Sequence, residues 1–369
     1  MLTQVSEINQ ATLKHLMIFT IHRGSNLMTF GPAGIGKTEI AMQACEETGL
    51  GHKYLNLSVL EAPDLLGLPT VNEQTNKSIY ALPEGFPLVS EAEAKETVLL
   101  VDEIDKAKPE LQNPMLELFQ FRSINGTKLK FKAVLATGNL PDEGAYSQTV
   151  SHALTNRCGV YRVTHDFQAW QDWAVPAGVN PLIVGFLSRN TNFLLQKPPE
   201  GDETAYCHPS PRAWTLAARD LDGTSPNDPI EFQELLVAGR VGTGAATKFK
   251  VWLEHYRHIQ PAIDALVLKG THPPKDMTLD RLFVCAIAGV NAVMEATRNP
   301  PKDKKVDHKK QVHQTTENVF KWLKELSGEV CIGAVKSTLN MKVIADFQLT
   351  KNQPFMDVYM KIRKAMKDD

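Results

Sequence analysis

The sequence predicts an α/β fold in three parts. These are a core over residues 1–165 built on a parallel sheet, a small helical domain over 166–222, and a mostly helical C-terminal region over 223–369. Three observations carry that prediction. The stretch Gly31-Pro32-Ala33-Gly34-Ile35-Gly36-Lys37-Thr38 follows an apolar segment, Asn26–Phe30, and runs into a helix-compatible one, Thr38–Thr48. Val98-Leu99-Leu100-Val101 is a compact apolar run that stops at Asp102-Glu103, the pattern of a buried parallel strand ending at a site. After Asp166 the strand signals fade and helical spacing takes over.

Taken in order, residues 2–20 carry apolar positions at helical spacing (Leu2, Val5, Ile8, Leu13, Leu16, Met17) and predict a helix before the first strand. Gly49 closes the helix Thr38–Thr48, and Lys53–Ser58 reads as a second strand. Two β-like runs, Gly67–Val71 and Ser78–Leu82, flank polar Asn72–Lys77 and predict a hairpin inserted near 67–82. A helix follows over Pro109–Phe119, with proline tolerated in its first turn. Phe131–Thr137 is an apolar strand stopped by Gly138-Asn139, Ser147–Thr155 a helix, and Gly159–Val163 the last strand. Alternating strands and helices of this kind indicate a parallel sheet. Beyond it, Phe167–Val175, Pro181–Phe193 and Pro211–Leu221 read as helices separated by Pro/Gly loops, notably Lys197–Asp202. A linker, Asp222–Pro229, leads to helical spacing in Ile230–Val241, Ala246–Ile259 and Leu279–Ala296, and Asn299–Lys310 reads as an exposed loop.

Composition excludes several classes. Lys and Arg total 40 against 42 Asp and Glu, a net charge of -2, which gives no support for a whole-protein field toward nucleic acid or membrane. Cys45, Cys158, Cys207, Cys285 and Cys331 are scattered without paired spacing, as in a reduced cytoplasmic protein. No apolar run reaches membrane-span length and no signal pattern opens the chain, so a soluble protein is expected. His255 and His258 stand three apart on a helix, the spacing of a solvated face. His208 and Ser210 near Asp202 lack a nucleophile elbow. Lys302, Lys304, Lys305, Lys309 and Lys310 suit a nucleic-acid contact or, with Asp303 and Asp307 among them, a solvated tether.

The glycine-rich stretch carries the clearest chemistry. Glycines leave no Cβ atoms in the way, so successive backbone N–H groups can turn inward as an anion nest at the start of a helix. Lys37 would reach the terminal phosphates of a nucleotide, and the Thr38 hydroxyl would hold Mg²⁺. At the strand end, one carboxylate of Asp102-Glu103 can bind that ion and the other can orient and deprotonate a water. Phosphoryl transfer is mostly positioning and charge stabilisation, so such a carboxylate is what an NTPase needs beyond the cradle. Asp105 and Lys106 read as surface or interface charges. Asn139 suits a hydrogen bond to a γ-phosphate or a water, and equally ordinary turn chemistry. Arg157 suits transition-state charge, or a dipole-compatible helix end. Arg212, in the first turn of a helix, is set against the helix dipole, which a phosphate partner or plain solvation would relieve.

The order of these features resembles the AAA+ ATPases, and within them most closely the MoxR-type branch. Asp64-Leu65-Leu66-Gly67 with the hairpin is similar to that branch's helix-2 insert. Leu116-Glu117-Leu118-Phe119, Ala136-Thr137-Gly138-Asn139-Leu140-Pro141 and Ser210-Pro211-Arg212-Ala213 fit its characteristic segments. The resemblance covers about 25–222 and implies roles: Gly31–Thr38 as Walker A, Asp102 and Glu103 as Walker B, and Asn139 as sensor 1. It makes Arg157 an arginine finger acting on a neighbouring subunit and Arg212 the sensor 2 of a helical lid. Two departures stand out: Asn156-Arg157-Cys158 replaces an acidic or Ser residue, Arg, then Phe, and Phe121-Arg122 lacks the acidic residue often found before that Arg.

What the resemblance implies is an ATP- and Mg²⁺-dependent ATPase working as a homo-oligomeric, hexameric ring that remodels or activates a partner protein, often one of von Willebrand A type. The alternatives are a nucleic-acid motor or loader on the same core, and a nucleotide-gated structural subunit that barely hydrolyses ATP. The absence of an Asn-Lys-x-Asp segment weighs against a guanine-specific enzyme.

Overall fold

The computed structural model describes residues 5–91, 93, 95–139, 149–197, 207–225, 228–274, 276–298, 300–301, 307–335 and 341–365. The chain divides into two compact units, Met1–Asp166 and Phe167–Asp369.

The first unit is built on six strands: β1 (Glu7–Ile8), β2 (Asn26–Phe30), β3 (Gly51–Asn56), β6 (Thr97–Asp102), β9 (Phe131–Gly138) and β10 (Gly159–Val163). They form one parallel sheet in the order β1-β10-β2-β9-β6-β3. That order puts β2 between β10 and β9, with β6 beyond β9, so the carboxyl ends of β2, β9 and β6 are neighbours. The apolar runs are continuous because both faces are covered. Met28, Phe30, Leu99, Val101, Val134 and Ala136 pack with Leu111, Met115 and Leu118 of helix α4 (Pro109–Phe121). The alternate set, Leu27, Val98, Leu100, Ala133 and Leu135, is buried as well, and helices α1 (Gln10–Arg23) and α2 (Lys37–Thr48) contact the sheet.

Several expected elements shift. The N-terminal helix starts at Gln10, where Asn9 caps it by accepting from Thr12 N at 2.9 Å, and ends at Gly24 with φ 67°. Glu7–Ile8 instead joins the sheet edge as β1, too short to show a period. The strand expected at Lys53–Ser58 runs Gly51–Asn56. Helix α5 is the single turn His152–Thr155, capped by Ser151; residues 147 and 148 of the expected helix lie outside the described residues, as do Leu140 and Pro141.

Short helix α3 (Ala62–Leu66) leads into the hairpin, β4 (Leu68–Asn72) paired antiparallel with β5 (Lys77–Ala81). Asn72 Oδ1 accepts from Gln74 N and Thr75 N and shapes its turn. Nearly every residue of the two strands is exposed. At its base Gly67 has φ 76°, and a Cβ there would lie 2.1 Å from the Ala81 carbonyl oxygen. A smaller hairpin, β7 (Ser123–Ile124) and β8 (Thr127–Lys128), follows α4; Glu117 accepts from Asn125 N and Gly126 N at its turn.

Among the described residues the second unit is helical: α6 (Phe167–Ala174), α7 (Pro181–Arg189), α8 (Pro211–Asp222), α9 (Ile230–Val241), α10 (Thr243–Lys269), α11 (Leu279–Arg298), α12 (His308–Leu323), α13 (Gly328–Val335), α14 (Met341–Asp346) and α15 (Gln353–Ala365). The helix expected to stop at Ile259 continues through Pro261 to Lys269, where Gly270 caps it. Its first half packs in a core with α6–α9 and its second half in another with α11–α15, and Trp252 and Tyr256 touch both. Lys309 and Lys310, expected in a loop, lie on α12, whose cap Asp307 accepts from Lys310 N at 3.1 Å; Lys302, Asp303, Lys304 and Lys305 lie outside the described residues. So does most of the loop Lys197–Asp202.

Candidate active site

The glycine-rich loop leaves β2 where three strand ends converge. A Cβ at Gly31 would stand 2.4 Å from the Val163 carbonyl oxygen of β10, so only glycine lets the loop pass that close. Gly34 and Gly36 have φ 77° and 97°, a region that favours glycine. Ile35 is buried and pins the loop to the core. Gly36 stands at the N-cap of α2 and brings no capping side chain, so the first amides of the helix are left to an outside acceptor. Lys37, nearly buried, folds back over the loop: its ammonium donates to the carbonyls of Gly31 (2.6 Å) and Pro32 (2.9 Å) and to Asn139 Oδ1 (3.0 Å). Ala33 completes the loop between Pro32 and Gly34.

Asp102, the last residue of β6, is held by four donors. Its Oδ1 accepts from Thr38 Oγ1 (3.1 Å), Glu103 N (3.0 Å) and the Thr137 hydroxyl, and its Oδ2 from Tyr54 OH (2.8 Å). The Thr38 hydroxyl and the Asp102 carboxylate thus meet as a pair of hard oxygen donors, the donor chemistry that suits Mg²⁺ bound with few protein ligands.

Glu103 adopts φ 56°, ψ 42°, unusual for a residue other than glycine, and its carboxylate pairs with Lys106. The turn Ile104–Lys106 then carries Asp105 inward. Asp105 is 2% exposed and accepts from Asn139 N at 2.8 Å. Burial pushes its carboxyl above the usual range, against the lowering effect of that hydrogen bond. The expectation that Asp105 and Lys106 are surface or interface charges is therefore corrected for Asp105, which is buried; Lys106 stays partly exposed and pairs with Glu103. The left-handed residue between strand and turn decides this, and no local pattern announces it.

Lys37, Thr38, Asp102 and Asn139 are joined by direct hydrogen bonds, and Glu103 adjoins Asp102. Arg157 is elsewhere. Its backbone carbonyl accepts from Asn26 Nδ2 (2.9 Å) at the amino end of β2, and its guanidinium donates to Gln120 Oε1 (3.0 and 2.6 Å) and Ala153 O (2.6 Å). Five strand residues separate that end from the loop, on the order of 16 Å at about 3.3 Å per residue. Arg212 is an exposed first-turn residue of α8, behind the cap Ser210, which accepts from Ala213 N at 3.2 Å; it belongs to the second unit. Sequence reasoning passed over Tyr54, Gln120 and Asn26, none of which has a motif of its own, and took Thr137 only as part of the segment around Asn139. Cys158, beside Arg157, is a partly buried thiol whose pKa burial pushes up to about 12.

Residues 27–160 match the family described as "ATPase family associated with various cellular activities (AAA)". This stretch is similar to an AAA domain. Among solved structures, a point mutant of RuvB from Thermotoga maritima is 14% identical with a TM-score of 0.34, the match covering 71% of this chain and 77% of that one. NtrX of Brucella abortus in complex with ADP is 13% identical with a TM-score of 0.33, over 85% of this chain and 61% of that one. At such values neither likeness carries a substrate or a partner. No curated protein matches the chain. The loop and both strand-end carboxylates lie inside the matched residues, as do Asn139 and Arg157; Arg212 lies beyond them. No helix among the described residues is long and apolar enough to cross a membrane.

Proposed function

We propose that this chain is an ATP-hydrolysing AAA+ motor of the MoxR type that assembles as a ring, hexameric by resemblance, in the cytoplasm and remodels or activates a partner protein. The observation that carries the reading is the convergence of Lys37, Thr38, Asp102 and Asn139 on one glycine-rich loop, with Glu103 next in chain. The loop amides and the α2 N-terminus would grip the phosphates, and Lys37 would exchange the Gly31 and Pro32 carbonyls for phosphate oxygens. Thr38 and Asp102 would hold Mg²⁺, which when bound neutralises phosphate charge. Glu103 would leave Lys106 to take a proton from the attacking water, and Asn139, its oxygen turned to Lys37, would direct its amide nitrogen at the γ-phosphate or that water. Arg157, at the far end of β2 from its own loop, would serve a neighbouring subunit's nucleotide. By the same resemblance Arg212 is the contribution of a lid over 166–222.

A protein client is favoured by the hairpin. It exposes Leu68 (63%), Val71 (61%), Ile79 (44%) and Tyr80 (47%) and offers Lys77 as its one cation, a surface suited to apolar side chains more than to a phosphate backbone. A von Willebrand A-type domain is the client class the resemblance implies.

The deciding experiment is Glu103→Gln. ATP affinity should stay within about threefold while turnover falls by about 10²–10⁴, the usual weight of a general base. Unchanged turnover would sink the assignment. DNA stimulation of ATPase activity that fades with salt would move the reading to a nucleic-acid motor.

A further inference from the structure

The turn after the strand-end carboxylates holds two parts of the site at once. At one end Lys106 pairs with Glu103, and at the other Asp105 accepts from the backbone of Asn139. We propose that Asp105 is a positioning residue for ATP hydrolysis, tying Asn139 to the segment that carries Glu103, so that the γ-phosphate-facing amide and the water-activating carboxylate are set by one turn. The inference rests on the ATPase reading above.

Four observations support it. Gly138 is the last residue of β9 in register with β2, opposite Phe30, so the strand pairing stops short of Asn139, and Asp105 Oδ1 supplies an acceptor at 2.8 Å for its N–H. The turn is pressed flat on the strand end, since a Cβ at Gly138 would lie 2.8 Å from Asp105 Oδ1 and 2.9 Å from Ile104 Cγ2. With its backbone held there, Asn139 directs Oδ1 to the Lys37 ammonium at 3.0 Å; a donor-only ammonium requires the oxygen on that side and leaves the amide nitrogen for a ligand. Among the described residues the other Asp105 oxygen is buried without a hydrogen-bond partner, which a residue selected for packing alone would avoid.

The test is ATPase kinetics with Mg²⁺-ATP on the full chain, alongside ATP binding. Asp105→Ala should lower kcat ten- to a hundredfold with the Kd for ATP within threefold, and Asp105→Asn, whose amide oxygen accepts the same N–H, should stay within threefold of the parent. In an Asn139→Ala background, itself impaired, Asp105→Ala should change kcat less than twofold further. The proposal is overturned by an Asp105→Ala kcat within twofold of the parent, by an asparagine variant as weak as alanine, or by a further tenfold loss in the Asn139→Ala background. If Asp105→Ala does not fold, Asp105→Leu takes its place, and unfolding of both also overturns the proposal, because the role is then structural only. A parent without ATP turnover, or an Asn139→Ala variant of unchanged kcat, overturns the underlying reading and this inference with it.

Discussion

A methyl group at position 31 would meet the Val163 carbonyl oxygen at 2.4 Å, and backbone cannot swing aside as a side chain can. Gly31→Ala should therefore cost about 1–3 kcal/mol, the range for forced overpacking, and weaken ATP binding by displacing the loop; thermal melts with and without Mg²⁺-ATP check both. The buried thiols give a second expectation at this scale. Burial holds Cys45 up to about 11, with Glu46 adding to it, and Cys158 and Cys285 up to about 12, from an ordinary 9.0. A pKa raised on folding means that the neutral thiol stabilises the folded state fully below the unfolded value, and that this is lost as pH rises through the folded one. The melting temperature should thus hold up to about pH 9 and fall above it, more shallowly in Cys158→Ala, as melts across pH 7–11 would show.

At the scale of elements, the parallel sheet and the hairpin have opposite relations to the core. β2, β6 and β9 are buried on both faces, whereas β4 and β5 lie exposed beyond a base closed by Gly67 against Ala81. Replacing residues 69–80 with a short glycine link should leave the melting temperature within about 3 °C, since little buried area is lost, and leave basal ATP turnover unchanged. Stimulation by a client protein should disappear, and a fall of the melting temperature beyond about 10 °C would show the hairpin to be part of the core. Asn26 is the strut of the other end: it donates to the carbonyls of Phe119 and Arg157 and accepts from Arg122 at 2.6 Å, joining α4, β2 and the approach to β10.

At the scale of the molecule, Arg157 cannot serve the loop of its own chain, which makes assembly part of the proposed chemistry. Mixing Arg157→Ala with Lys37→Ala subunits should restore ATPase activity above that of either variant alone, because each interface type can pair an intact loop with an intact arginine. Rings that form without any recovery would count against an arginine supplied by the neighbour; light scattering measures the rings and phosphate release the activity. The second unit is drawn into one body by α10, which lends one half to each of two cores.

The sequence alone determined the strands near the site and the loop itself. Apolar runs such as Val98–Val101 are continuous because both sheet faces are covered, and a phosphate loop writes its backbone needs directly as glycines. It named Lys37, Thr38, Asp102, Glu103 and Asn139 because each follows a strand or loop signal in the chain. It missed β1, too short for a period, and the helical Lys309 and Lys310, whose composition mimics a loop. Only the tertiary structure decided that Tyr54 and Thr137 hold Asp102, that Arg157 stands at the opposite end of β2, and that Asp105 turns inward. The reason is physical: burial and partnership at those positions depend on strand order and on one left-handed residue, Glu103, and neither is written in the residues beside them.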